Sequence, residues 1–235
     1  NTAVGQASLE ANTTASFNVA VGRNALAVNT TGSTNVAVGK DCLVANTTAS
    51  HNTAIGYEAL AANTTGDLNT AFGYQALDAN TVGDRAVAVG VGALGQQNPD
   101  SNTDTYNTGL GYNAGGSITT GTQNTLVGGL SGDAITTGSQ NTSLGFQSLG
   151  KTTTSGNNTA VGYFSLIENT TGSSNTAVGS ASLDANTTGG NNVAIGDNAL
   201  GANTTADNNT ALGYAALSSN VTNTRNTAVG YHAGL

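Results

Sequence analysis

The chain has 235 residues, of which 8% are charged and 5% aromatic, with 33 glycines, no Trp and no Met. A formal charge of −8 with only five Lys and Arg leaves no basic patch to neutralise phosphates, which excludes nucleic-acid binding. A single cysteine, Cys42, excludes an internal disulfide, and no run approaches the roughly eighteen consecutive apolar residues of a membrane-inserting helix.

The organising signal is a repeat. Asn-Thr-Ala-Val-Gly at residues 1–5 returns in related form at positions 18, 35, 52, 69, 86, 107, 124, 141, 158, 175, 192, 209 and 226, giving fourteen copies with the last incomplete. The spacing is 17 residues everywhere except between Ala86 and Asn107, where it is 21. The four extra residues fall within 95–106, a polar stretch holding the only proline, Pro99, and they read as a surface loop swelling out of one coil. The chain is read as one repeat domain over 1–235, a segment of a longer fibre.

Numbering the repeat from its Asn as slot 1, slot 2 is Thr or Val and slot 4 is a sizeable apolar residue such as Val21, Ile55, Phe72 or Leu144. This period-two pattern, closed by Gly at slot 5 in every copy, predicts a short strand ending in a corner. Slot 8 is Ala, Ser or Cys, and slot 9 is Leu except at Gly115, Gly132 and Gly234. In the two complete variant copies slot 12, usually Asn, becomes Ile118 and Ile135, so slots 9 and 12 are expected to reach the same space. Slots 13 and 14, mostly Thr-Thr, predict a second short strand, and slot 15, mostly Gly, a second corner. Two strands and two corners per 17 residues make one turn of an all-β, parallel β-solenoid, with fourteen coils reaching on the order of 65 Å.

On this reading slots 2 and 4 fill the coil and slot 3 faces outwards. Slot 3 is Ala in eleven of fourteen copies: Ala3, Ala20, Ala37, Ala54, Ala71, Ala88, Ala160, Ala177, Ala194, Ala211 and Ala228. A small outward residue in every coil predicts a close-packed face against another copy of the chain. Slot 6, just past the corner, holds Tyr57, Tyr74, Tyr112, Phe146, Tyr163, Tyr214 and Tyr231, alongside Arg23, Lys40 and Asp197, and is therefore expected to be exposed. This aromatic stripe reads in two ways, as ring stacking between coils or as a contact face for a glycan or protein partner.

The motif Asn-Thr-Ala-Val-Gly, followed by two variable residues and Ala or Ser, resembles the Ser-Val-Ala-Ile-Gly-x-x-Ser repeat of YadA-like heads of trimeric autotransporter adhesins, a motif also met in bacteriophage tail fibres. The resemblance covers essentially the whole chain. It implies a left-handed parallel β-roll, a homotrimer or filament of copies, and an extracellular place on a bacterial surface or a virion fibre, where the chain attaches to a host-surface or matrix ligand. The chain departs from the pattern in its longer period of 17 and in the Leu at slot 9.

Enzyme signatures are missing, and the chain is read as non-enzymatic, with no cofactor and no metal. His51 and His232 sit in different slots of distant coils, the carboxylates scatter over variable slots with no fixed pair, and the Asp-bearing nonapeptide of calcium-binding β-rolls is lacking. Cys42 occupies the small slot 8 and is expected to be a buried stand-in for Ala. The regular Thr-Thr pairs offer an alternative reading as an ice-binding solenoid. Asn-x-Thr/Ser sequons at Asn12, Asn29, Asn46, Asn63, Asn141, Asn157, Asn169, Asn186, Asn203, Asn208 and Asn220 are formal glycan acceptors, with turn and ladder hydrogen bonding as the competing explanation.

Overall fold

The structure is a computed structural model that describes residues 1–234. It divides into two compact units, Asn1–Thr122 and the residues from Gln123 onwards. The first unit holds strands β1 (Thr2–Val4), β2 (Val19–Val21), β3 (Val36–Val38), β4 (Thr53–Ile55), β5 (Thr70–Phe72), β6 (Val87–Val89) and β7 (Thr108–Leu110). The second holds β8 (Thr125–Val127), β9 (Thr142–Leu144), β10 (Thr159–Val161), β11 (Thr176–Val178), β12 (Val193–Ile195), β13 (Thr210–Leu212) and β14 (Thr227–Val229). Within each unit consecutive strands pair in parallel and slot on slot, as Ala54↔Ala71 and Ala177↔Ala194 do. The architecture is the expected all-β parallel β-solenoid. Register survives the insertion too, since Ala88 pairs with Gly109 and the extra chain is shed through exposed residues 100–102 and 104.

Each coil carries one strand, not two. The Thr-Thr stretch is a bend, because one carbonyl of the next coil accepts both of its amides: Thr30 N and Thr31 N donate to Thr47 O at 2.9 and 3.3 Å. Two successive amides converging on one acceptor cannot belong to an extended ladder, so local geometry overrides the β propensity of Thr. The remaining corners use left-handed backbone at slots 7, 9 and 17, as at Glu58 (φ 57°), Leu60 (φ 51°) and Leu68 (φ 62°). At slot 5 glycine is required twice over: Gly56 has φ +135°, and a Cβ there would lie 2.4 Å from the Gly73 carbonyl oxygen of the next coil.

The inside and outside of the coil are the reverse of the sequence expectation. Ala20, Ala37, Ala54, Ala71, Ala88, Ala160, Ala177, Ala194 and Ala211 are fully buried within the chain, Ala228 nearly so, and only Ala3, in the first coil, is exposed. These alanines therefore belong to the coil's own core and do not form a face for another chain. Slots 2 and 4 point outwards instead. The physical reason is the narrowness of the cross-section, in which most coils bury a single large apolar side chain, the slot-9 Leu (Leu26, Leu43, Leu60, Leu77, Leu94, Leu149, Leu166, Leu183, Leu200), with Ala at slot 3 and a small residue at slot 8. The variant coils show that volume is exchanged between slots, since Leu126 and Ile135 are both fully buried where slot 9 is Gly132. Slot 3 grows to Leu126 only where slot 9 shrinks to Gly132, and a Cβ on Gly132 would fall 2.8 Å from both Leu126 Cδ2 and Ile135 Cδ1. The expected sharing of space by slots 9 and 12 is thus observed directly, with Ile118 and Ile135 fully buried.

Slot 1, on the same inward face of the strand as the slot-3 Ala, is polar. Slot-1 asparagines of the inner coils are buried, and a typical one, such as Asn52, links three places: its amide donates to the Asn Oδ1 of the coil before, its own Oδ1 accepts from the coil after, and its Nδ2 donates across the coil to the slot-15 carbonyl. Asn52 N meets Asn35 Oδ1 at 2.9 Å, Asn69 N meets Asn52 Oδ1 at 2.9 Å, and Asn52 Nδ2 meets Gly66 O at 2.9 Å. A second buried file runs through slot 12, where Asn63 Nδ2 donates to Asn46 Oδ1 at 3.0 Å and to Gly66 O at 3.0 Å. One slot-15 carbonyl thus takes a donor from each file. At the insertion coil Gln97 replaces the slot-12 Asn and turns to Thr105 and Asn107, leaving Asn80 Oδ1 without a hydrogen bond.

The reversed parity is testable at adjacent residues. Ala177→Glu places an unpaired carboxylate in the core and is expected to abolish cooperative folding, whereas Val178→Glu is expected to leave the β-type circular dichroism spectrum intact. Leu60→Ala is expected to cost about 2–5 kcal/mol in chemical denaturation, because neighbouring slots cannot move in to fill the space.

Candidate interaction surfaces

Turning slots 2 and 4 outwards leaves on each unit a sheet face with an apolar file at slot 4 beside a slot-2 file that is Thr in ten of the fourteen copies. Along slot 4, Val4, Phe72 and Leu110 of the first unit and Leu144, Ile195, Leu212 and Val229 of the second are exposed, with Phe72 at 52% and Leu144 at 48%. The other members, among them Val21, Val38, Ile55, Val161 and Val178, are half-buried, as are most slot-2 Thr and Val residues. Side chains in register along a parallel sheet bring these residues into files at the strand spacing of about 4.8 Å. An isolated exposed Leu is ordinary, whereas apolar residues repeated in register along one file make this face a candidate interaction surface.

The aromatic stripe of slot 6 lies beside this face. Tyr57 and Tyr74 stack with centroids 5.5 Å apart, Phe146 and Tyr163 at 6.0 Å, and Tyr214 and Tyr231 at 5.3 Å. Slot 7 adds to the stacks where it is aromatic: Phe164 lies 3.9 Å from Tyr163, and His232 sits edge-on to Tyr231 at 4.3 Å. Tyr112, with Val91 before it in the file, is more open at 63% exposure. Lys40 Nζ lies 4.5 Å from the Tyr57 centroid and 2.7 Å from Asp41, prolonging one stack with a cation. The stacking expected between coils is therefore present. Each pair covers the two ring faces turned towards each other, while Tyr112 at 63% and Tyr231 at 76% exposure stay largely open.

The threonines divide in the same way. Slot-13 hydroxyls are spent on the next coil, as Thr47 Oγ1 donates to Thr64 O at 3.2 Å and Thr187 Oγ1 to Thr204 O at 3.0 Å. Slot-14 threonines such as Thr48, Thr65, Thr171 and Thr188 are exposed, so one threonine file per unit faces water. Most sequon asparagines are ladder members: Asn29, Asn46, Asn63, Asn141, Asn169, Asn186 and Asn203 are fully buried, while Asn157 and Asn208, at slot 17, are exposed.

Among the described residues no group of three or more His, Cys, Asp or Glu side chains is placed to hold a metal ion. Cys42 is fully buried, donates to Ala54 O at 3.1 Å, and has its thiol pushed up to about 12 by burial. Slot 16 carries a side-chain ladder that sequence reasoning missed: Ser50 N donates to Asp67 Oδ1 and Asp67 N to Asp84 Oδ1, both at 2.6 Å. The signal for it was the run Ser16, Ser33, Ser50, Asp67, Asp84, in which every residue can accept a hydrogen bond. Partial burial raises the Asp84 pKa, reinforced by the charges of Asp67 and Asp104.

No protein-family model matches the chain, and neither a curated protein nor a solved structure matches it.

The slot-16 ladder sets a pH dependence. A carboxyl whose folded pKa is raised contributes most to stability in its protonated form, and that contribution is lost as pH rises through the folded value, above the ordinary 3.8. Asp84→Asn keeps the Oδ1 acceptor and removes the charge, so the variant is expected to have a higher denaturation midpoint than the parent at pH 7 and the same midpoint at about pH 3.

Proposed function

We propose that this chain is a structural and adhesive segment of an extracellular fibre, on a bacterial surface or a virion, whose copies associate through the outward sheet face of slots 2 and 4. The observation that carries this reading is the exposed apolar file of slot 4 on each unit, with Phe72 and Leu110 in the first and Leu144, Ile195 and Leu212 in the second. A monomeric soluble protein seldom leaves such a file to water, and a surface made identical by a repeat is most simply covered by the same surface of another copy. Three copies are the number implied by the resemblance to trimeric adhesin heads. The low charge and the hydrogen-bonded files that tie coil to coil suit a mechanical or display role, and the outer slots, which vary freely from coil to coil, suit attachment to a host-surface or matrix ligand.

The alternative, a binding module for ice, draws on the exposed slot-14 threonines. A purified chain that produces thermal hysteresis would favour it over the fibre reading.

Association is tested by light scattering. The chain is expected to behave as a trimer, and Val178→Lys, Ile195→Lys and Leu212→Lys together are expected to give monomers with an unchanged circular dichroism spectrum. A parent chain that stays monomeric at tens of micromolar would remove the self-association reading.

A further inference from the structure

Of the seven tyrosines, four form two pairs that occupy slot 6 of consecutive coils, Tyr57 with Tyr74 and Tyr214 with Tyr231. Both pairs are held by the backbone. The residue after the second tyrosine donates its amide to the carbonyl of the first, Gln75 N to Tyr57 O and His232 N to Tyr214 O, each at 3.0 Å. The rings accordingly lie one above the other, 5.5 Å apart at 17° in the first pair and 5.3 Å apart at 12° in the second. All four rings reach solvent, from 36% exposure at Tyr57 to 76% at Tyr231.

The other three tyrosines lack a phenol partner in the stripe. Tyr163 stacks on Phe146 and Phe164, Tyr112 follows Val91, and Tyr106, outside slot 6, lies beneath the Arg85 guanidinium and donates to Asp104.

We propose that the two stacked pairs are sites of oxidative dityrosine formation, each a latent covalent staple between adjacent coils, driven by a peroxide through a haem peroxidase. In the reaction each phenol gives up one electron and one proton, leaving two phenoxyl radicals. These join through a carbon ortho to each oxygen, and the two ortho hydrogens move to the oxygens to restore both aromatic rings. One carbon–carbon bond replaces two carbon–hydrogen bonds. The peroxide O–O bond is cleaved, and its two oxygens take up the two electrons and two protons as two molecules of water.

Proximity directs the coupling. A radical on Tyr57 meets Tyr74 within the same chain before any other phenol, and exposed side chains pivot fast enough to bring ring edges together.

The test is oxidation of the full chain by a haem peroxidase with limiting hydrogen peroxide, read by dityrosine fluorescence, intact mass, denaturing gels and peptide mapping. The expected result is a loss of two hydrogen atoms per bridge, bridged peptides joining 57 to 74 and 214 to 231, and product that runs as a single chain. Tyr57→Phe with Tyr214→Phe keeps a ring at every stack position and is expected to lower the fluorescence on the order of tenfold. The proposal is overturned if the bridges map to Tyr106, Tyr112 or Tyr163 as often as to the stacked pairs, if they reside in cross-linked multimers, or if the double variant retains the parental yield.

Discussion

The structure depends on asparagine side chains that act as backbone. Three-residue strands offer few ladder hydrogen bonds per coil, and a cross-section in which most coils bury a single large apolar side chain supplies little apolar burial. The slot-1 asparagines add the missing bonds from inside. Asn175, for example, receives the Asn192 amide at 3.0 Å, donates through Nδ2 to Gly189 O at 2.8 Å, and gives its own amide to Asn158 Oδ1 at 3.0 Å. Because the slot-15 carbonyl also takes the Nδ2 of the slot-12 asparagine, as Gly189 does from Asn186 at 2.9 Å, the strand and the far corner are joined across every such coil. Amides buried in this way persist because both their donors and their acceptors are used, and removing one leaves its partners in a dry interior.

This polar interior explains which parts of the fold the sequence made legible. The period, the corner glycines and the exchange between slots 9 and 12 are each enforced by a steric condition that leaves its mark in every coil. Gly56 cannot carry a Cβ against Gly73, and Ile118 and Ile135 occupy the volume that Gly115 and Gly132 vacate. The parity of the strand was read backwards because apolar size was taken as the sign of burial. In a coil this narrow the rule inverts: the alternating inward positions are Asn and Ala, and bulk is tolerated only outside. The counter-signal was present at Leu126, the only large residue at slot 3, which coincides with glycine at slot 9 of the same coil. The Thr-Thr stretch misled for a different reason, since two amides sharing one acceptor is a feature of the corner's path that no residue preference announces.

The same inversion bears on function. With Ala at the core, a close-packed face of small residues is no longer available to a partner, and the apolar residues turned outwards are valines, leucines, isoleucines and Phe72. The aromatic stripe was legible as exposed from its mixture with Arg23 and Lys40, while the mutual covering of its ring faces depends on which coils happen to follow one another. The division of the threonines into bonded slot 13 and free slot 14 was likewise invisible, because both slots carry the same residue type and only the corner geometry distinguishes them.

The central claim, that the buried asparagine files join coil to coil, is tested most directly by residue-resolved amide hydrogen exchange on the folded chain. The account predicts that slot-1 amides such as those of Asn52, Asn69, Asn175 and Asn192 exchange slowest of all and only by global unfolding, while slot-16 and slot-17 amides exchange by local opening. Slot-1 amides that exchange as fast as those of the surrounding corners would contradict it.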